Sequence, residues 1–215
     1  MINRRLLLAT GLFAGLLAGQ QAPSTDWTPL FDGKTLAGWR ETEFTRRGPV
    51  KVENGNIVFD KGALTGITWT KPFPKSNYEV RLEAMKVDGS DFFAGITFPV
   101  KDSHCSLIVG GWGGQVVGLS SIDSYDASEN ETSISRTFEL GKWYPIALRV
   151  TDGWIQAWID NEKLIEISLE GRKISLRPGE IELSVPFGIA SYSTKTSLRK
   201  LEYRTIPPPA ASGVK

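Results

Sequence analysis

Alternation of apolar and polar positions runs through most of this 215-residue chain. Tyr78-Glu-Val-Arg-Leu-Glu-Ala84 puts Tyr78, Val80, Leu82 and Ala84 on one side, the period-2 signature of a half-buried strand. Shorter stretches at 50–52, 57–59, 92–98, 104–109, 115–120, 143–151, 154–160, 163–169, 180–185, 187–191 and 197–204 read the same way. Turn residues stand between them. Asn54-Gly55 is the favoured pair for a tight hairpin loop, and Asp152-Gly153 and Asn161-Glu162 mark two more. Asp32-Gly33, flanked by Leu30-Phe31 and Leu36 and bracketed by Trp27 and Trp39, also reads as a hairpin turn. Outside the N-terminal apolar run no amphipathic helix is apparent. Roughly a dozen short strands with turn signals every 8–12 positions predict an all-β sandwich. Strands with one dry and one wet face call for two stacked antiparallel sheets, wired as a jelly roll.

The ends do not share this pattern. Arg4 and Arg5, the apolar run 6–17 and the small residues Ala18, Gly19 and Ala22 form an export signal over residues 1–22. The apolar run is too short to cross a hydrocarbon core of about 30 Å. A secreted or periplasmic protein with no membrane attachment after signal cleavage is therefore expected, by either the general or the twin-arginine route. Residues 207–215, Pro-Pro-Pro-Ala-Ala-Ser-Gly-Val-Lys, read as an extended Pro-rich tail. The roughly 185 residues between, 23–206, suit a single domain with a sizeable core.

Charge and cysteine narrow the function classes. The net charge of +1 becomes −1 once Arg4 and Arg5 are removed, which gives no electrostatic case for nucleic acid. Cys105 is the only cysteine, so packing rather than an internal disulfide must stabilise the domain.

Four groups of residues could carry chemistry. Trp154, Gln156, Trp158 and Asp160 fall on one strand face, opposite Ile155, Ala157 and Ile159. Such a row is either a sugar platform, with rings against pyranose C–H faces and polar groups on hydroxyls, or packing for a crossing loop. Gly110-Gly-Trp-Gly-Gly114 presents Trp112 at a loop tip; no Gly-Lys-Ser/Thr follows, so it is not a phosphate loop. His104 is the only histidine, which excludes a multi-histidine zinc site; it is either a general base, with Asp91 and Asp102 as further candidates for catalysis, or a surface histidine without a catalytic role. No Gly-x-Ser-x-Gly elbow accompanies it. The polar run 123–136 is a long unpatterned loop, the least constrained part of the fold. Its Asp123, Asp126 and Glu129 either hold Ca²⁺ or are simply solvated. No other cofactor is expected. The two-carboxylate strand motif of sandwich glucanases is absent, and Glu79, Arg81 and Glu83 read as an ordinary solvated face.

The opening Leu30-Phe-Asp-Gly-Lys-Thr-Leu-Ala-Gly-Trp39 resembles the first motif of the 3-keto-disaccharide hydrolase domain family, and the likeness extends over roughly 26–204. Residues 50–85 follow the family order of extended segment, Gly-centred hairpin and long strand. The stretch Gly141-Lys-Trp-Tyr-Pro-Ile146 and the hairpin after it resemble the family's late strand pair. The middle departs: Gly95-Ile96 matches, but Phe98 stands where relatives carry Arg, and 103–109 is apolar where they are acidic. The resemblance implies a concanavalin-like jelly roll that acts on saccharides. Hydrolysis of a 3-keto-glycoside exploits a proton made acidic by the C3 ketone, and so needs a base and an oxyanion stabiliser. Two readings stand: such a hydrolase, with His104, Asp91 or Asp102 in catalysis and Trp112, Trp154, Gln156, Trp158, Asp160, Asp123 and Tyr192 contacting sugar, or a glycan-binding module without turnover.

Overall fold

The computed structural model describes residues 26–208; the expected signal segment 1–22 and most of the expected Pro-rich tail lie outside them. The chain runs through β1 (Thr28–Pro29), β2 (Trp39–Glu41), β3 (Val50–Glu53), β4 (Asn56–Phe59) and β5 (Thr65–Trp69). The middle supplies β6 (Tyr78–Gly89), β7 (Ala94–Val100), β8 (Ser103–Gly111), β9 (Val116–Ser120) and β10 (Ile134–Ser135). Then follow β11 (Trp143–Val150), β12 (Trp154–Ile159), β13 (Glu162–Ser168), a 3₁₀ turn at Glu180–Ser184, β14 (Gly188–Ser191) and β15 (Thr194–Thr205). One sheet has the order β13-β12-β11-β6-β15-β4-β3 with β1 beside β15; the other runs β10-β9-β8-β7-β14-β5-β2. This is a concanavalin-like jelly-roll sandwich.

The alternation in the sequence decides which side of each strand is dry. Tyr78, Val80, Leu82 and Ala84 of β6 all enter the core, and Cys105, Leu107 and Val109 of β8 meet them from the second sheet. Tyr78 keeps its polar tip satisfied inside by donating its hydroxyl to the Pro99 carbonyl at 2.6 Å. Cys105 is unpaired and buried, and burial pushes its thiol up to about 12. The Asn54-Gly55 and Asp152-Gly153 turns close the expected hairpins β3–β4 and β11–β12.

Four expectations need correction. Asp32-Gly33 does not close a hairpin: β1 pairs with β15 in the first sheet and β2 with β5 in the second. The segment is a link between sheets, held by Asp32 Oδ1, which accepts the Lys34 and Thr35 amides. Its flanking apolar runs are too short to pair, and Leu30 and Trp39 serve the core instead, with Trp39 Nε1 donating to the Leu30 carbonyl at 2.7 Å. The segment 180–185 is not a strand. It packs across β5 and β14 as a 3₁₀ turn, and the Leu183 carbonyl accepts side-chain bonds from Thr68 and Arg40 instead of ladder bonds. The turn after β12 uses Asp160 and Asn161, both at positive φ, so Asp160 leaves the strand face. Glu79 is not solvated: it is only 7% exposed and is clamped by Arg149 and Arg204 on the outer face of the first sheet.

Candidate functional site

A pocket forms on the outer face of the second sheet because that face is paved with small side chains. Ser106 and Ser120 point outward from β8 and β9, and glycines let two crossing segments settle on the sheet. A Cβ at Gly118 would lie 2.6 Å from the Ala127 carbonyl oxygen, and one at Gly188 would lie 2.7 Å from that of Ser184. Only glycine permits these approaches. The two segments become walls, and between them lies a cavity of about 380 Å³.

Asp91, just before β7, organises one rim. Its Oδ1 accepts the Phe92 amide at 2.8 Å and its Oδ2 accepts the Gly113 amide at 3.1 Å. The second bond anchors the glycine-rich loop and sets Trp112, 41% exposed and at φ 47°, over the cavity. Phe92 and Tyr192 stack at 5.9 Å and complete an aromatic edge. Beneath the loop, Lys86 points inward from β6; burial pulls its ammonium below the ordinary lysine value, and the charge of Asp91 works against that.

The opposite wall is polar. Asp126 accepts the Ser120 hydroxyl at 2.5 Å and the Ala127 amide at 2.8 Å, and pairs with Arg177 at 3.0 Å. Glu180 also faces the cavity, and hydrogen bonds from Thr45 hold its carboxyl below the usual carboxylate value. The loop that carries Asp126 is pinned from within. Asn130 donates to the carbonyls of Leu119 and Asp126, each at 2.8 Å, and accepts from the Thr132 amide and hydroxyl.

The residues singled out from sequence fall in several places. Asp91, Trp112 and Tyr192 converge in the pocket. His104 and Asp102 do not line it: His104 lies two residues before Ser106 on the same face of β8, about 7 Å along the strand from that part of the floor, and Asp102 sits in the turn before the strand. Asp102 is ion-paired with Lys75 at 2.9 Å. Asp123 points to the Lys173 amide and Arg172, outside the pocket lining. Trp154, Gln156 and Trp158 project from the first sheet, on the far side of the sandwich, and Asp160 is paired with Arg136 at 2.8 Å. The acidic loop does not gather around one point: Asp123 and Glu131 share Arg172, while Glu129 accepts the Asp126 amide. Among the described residues no three His, Cys, Asp or Glu side chains form a group able to hold a metal ion.

His104 has a measurable role of another kind. Burial first, and the Lys75 charge second, push its imidazole below the ordinary value of 6.5. The unfolded chain therefore holds the proton more tightly. The stabilisation is fully present above pH 6.5 and is lost as pH falls toward the folded value. His104→Asn should flatten the fall in unfolding free energy between about pH 7 and pH 5, measured by urea denaturation; an unchanged slope would show that His104 does not set it.

Sequence reasoning missed Phe92, Arg177 and Ile181, and read Asp126 as either a Ca²⁺ ligand or a solvated acid. The outward Ser-x-Ile of β8 was the available signal for the pocket floor. Nothing in the local pattern could show that residues 177–184 cross it.

The pocket, with its aromatic rim and fixed carboxylates, lies on the outer face of a jelly roll. The chain is a member of the 3-keto-alpha-glucoside-1,2-lyase-like domain family, whose model matches residues 26–204. Among curated proteins none matches significantly in sequence. The fold is shared with the carbohydrate-binding module CBM66 from Bacillus subtilis, at TM-score 0.54 and 11% identity over 78% of this chain and 96% of that one. It is similar to Crh5 transglycosylase in complex with NAG, at TM-score 0.57 and 13% identity over 82% of each chain. Domain 4 of AbnA, an extracellular GH43 arabinanase from Geobacillus stearothermophilus in complex with arabinotriose, matches at TM-score 0.52 and 14% identity over 80% of this chain and 84% of that one. Among the described residues no helix is long and apolar enough to cross a membrane.

Proposed function

We propose that the pocket beneath Trp112 binds a glycosyl unit and that its substrate is a 3-keto-glycoside, handled by an exported domain. The observation that carries this is the convergence of Trp112, Tyr192, Asp91, Asp126 and Arg177 on one cavity of about 380 Å³, within the range of small-ligand sites. An indole offers its face to pyranose C–H groups, and carboxylates and a guanidinium bind hydroxyls and a carbonyl.

The chemistry follows from the ketone. With C3 oxidised, the proton on C2 is acidic. Asp91 takes that proton, and the electron pair of the C2–H bond forms an enolate with its charge on the C3 oxygen. Arg177, which keeps donors beyond the one given to Asp126, stabilises that oxygen. Collapse of the enolate forms a C1–C2 double bond and breaks the C1–O bond, and the leaving aglycone oxygen takes the proton held by Asp91, which returns to its carboxylate form. Addition of water across the double bond then completes a net hydrolysis. One observation favours binding without turnover: Asp91, Asp126 and Glu180 all already accept hydrogen bonds from the protein, as fixed acceptors would.

The test is incubation with a 3-keto-glucoside and with the matching ordinary glucoside, followed by tryptophan fluorescence and product analysis. Product from the keto sugar alone, with a fluorescence response lost in Trp112→Ala, is the expected result. A Trp112-dependent response without product would reduce the reading to binding, and neither product nor response would remove it.

A further inference from the structure

The first sheet carries a second recess on its outer face, a cavity of about 390 Å³ separated from the Trp112 pocket by the full thickness of the sandwich. Trp158 forms one wall. The Arg149 guanidinium lies 5.6 Å from its ring centroid and fixes the indole's orientation. The floor is Pro145 and Ala147, side chains too short to fill the space. The opposite wall owes its shape to a register shift in β15 between Arg199 and Glu202, which leaves Lys200 at φ 53°. Leu201 turns into the core there, and Lys200 and Glu202 line the recess.

The chemistry of the lining selects the class of ligand. Arg81 and Lys200 contribute two positive charges, Glu83 and Glu202 two negative ones, and Asn161 both a donor and an acceptor. Arg81 is paired with Glu202, and Lys200 with Glu83 at 2.7 Å. The nearby Arg149 and Arg204 are taken up by Glu79. With Arg199 also on Glu83, these five cations share the three carboxylates Glu79, Glu83 and Glu202, so each is held in an ion pair although positive charge exceeds negative by two. An indole beside interleaved donors and acceptors suits an uncharged polyol with apolar ring faces. The row continues along β12 to Gln156 and to Trp154, which is 47% exposed, so an extended chain has further surface to follow.

We propose that this face is a second binding site, for a neutral glycan chain, which holds the domain on polymer independently of the Trp112 pocket. It does not rest on the function proposed for that pocket.

Affinity electrophoresis tests it, in native gels containing soluble β-1,3-glucan, mixed-linkage β-glucan or amylopectin, with polygalacturonate as the anionic comparison. Wild-type protein should be retarded by at least one neutral polymer and not selectively by polygalacturonate. Trp158→Ala should weaken that retardation by about fivefold or more. Ala147→Arg, a surface change that fills the recess and leaves Trp158 in place, should do the same. Trp112→Ala should leave it unchanged. Retardation by no neutral polymer, by polygalacturonate alone, or surviving both first-sheet substitutions overturns the proposal, as does its loss in Trp112→Ala.

Discussion

Asp91→Asn is expected to slow turnover of a 3-keto-glucoside by about 10²–10⁴-fold, the usual cost of removing a general base. The substitution removes the basic carboxylate but keeps one oxygen that can accept an amide bond. The two bonds at stake are those from Phe92 at 2.8 Å and Gly113 at 3.1 Å. Binding should therefore survive better than turnover, visible as a fall in kcat with little change in the fluorescence response to the sugar. Asp91→Ala removes both acceptors, so the Trp112 loop loses its anchor and the fluorescence response should fall as well. If Asp91→Asn keeps wild-type turnover, the proton on C2 goes to another group, and Asp126 is the remaining carboxylate beside Arg177.

Phe93→Ala is expected to cost about 3–5 kcal/mol of unfolding free energy, the range for a fully buried phenylalanine. Domains of this kind have about 5–15 kcal/mol in total, so the loss is a large part of the margin. Phe93 is completely buried and meets Phe138 edge-on at 5.0 Å and Tyr144 at 5.9 Å. Urea denaturation checks it, with Trp154→Ala as a comparison whose effect should stay within about 0.5 kcal/mol. The site should suffer too. A Cβ at Gly110 would lie 3.1 Å from the Phe93 ring, so that ring supports the loop that presents Trp112. A loss below about 1 kcal/mol would mean that neighbouring rings collapse into the space.

Fold and site were legible from sequence to different degrees, and for physical reasons. A half-buried strand writes its dry face into every second residue, so the core side of β6 could be read directly. Pairing partners are not written locally. Asp32-Gly33 has hairpin chemistry, but its flanks pair with β15 and β5 in different sheets. The alternation of Ile181, Leu183 and Val185 likewise suggested a strand, whereas tertiary contacts made Glu180–Ser184 a 3₁₀ turn across the second sheet.

The site shows the same division. Trp112 and Asp91 stood out because glycines around an indole and an acid at a strand start are local features. Their meeting with Tyr192 and Arg177 depends on sequence-distant segments. His104 drew attention as the only histidine; it lies beyond the pocket lining, two residues before Ser106 on the same face of β8. The loop 123–136 looked unconstrained because its order comes from side-chain bonds that no local pattern shows: Asn130 reaches carbonyls at Leu119 and Asp126, and Arg172 bridges Asp123 and Glu131.

The central claim is that the sugar sits under Trp112, and a crystal structure of Asp91→Asn soaked with a 3-keto-glucoside tests it most directly. The account expects a pyranose ring against the Trp112 indole, with its oxygens on Asp126 and Arg177. Sugar bound only beside His104 or only at Trp158, with the Trp112 pocket left without it, would contradict the account.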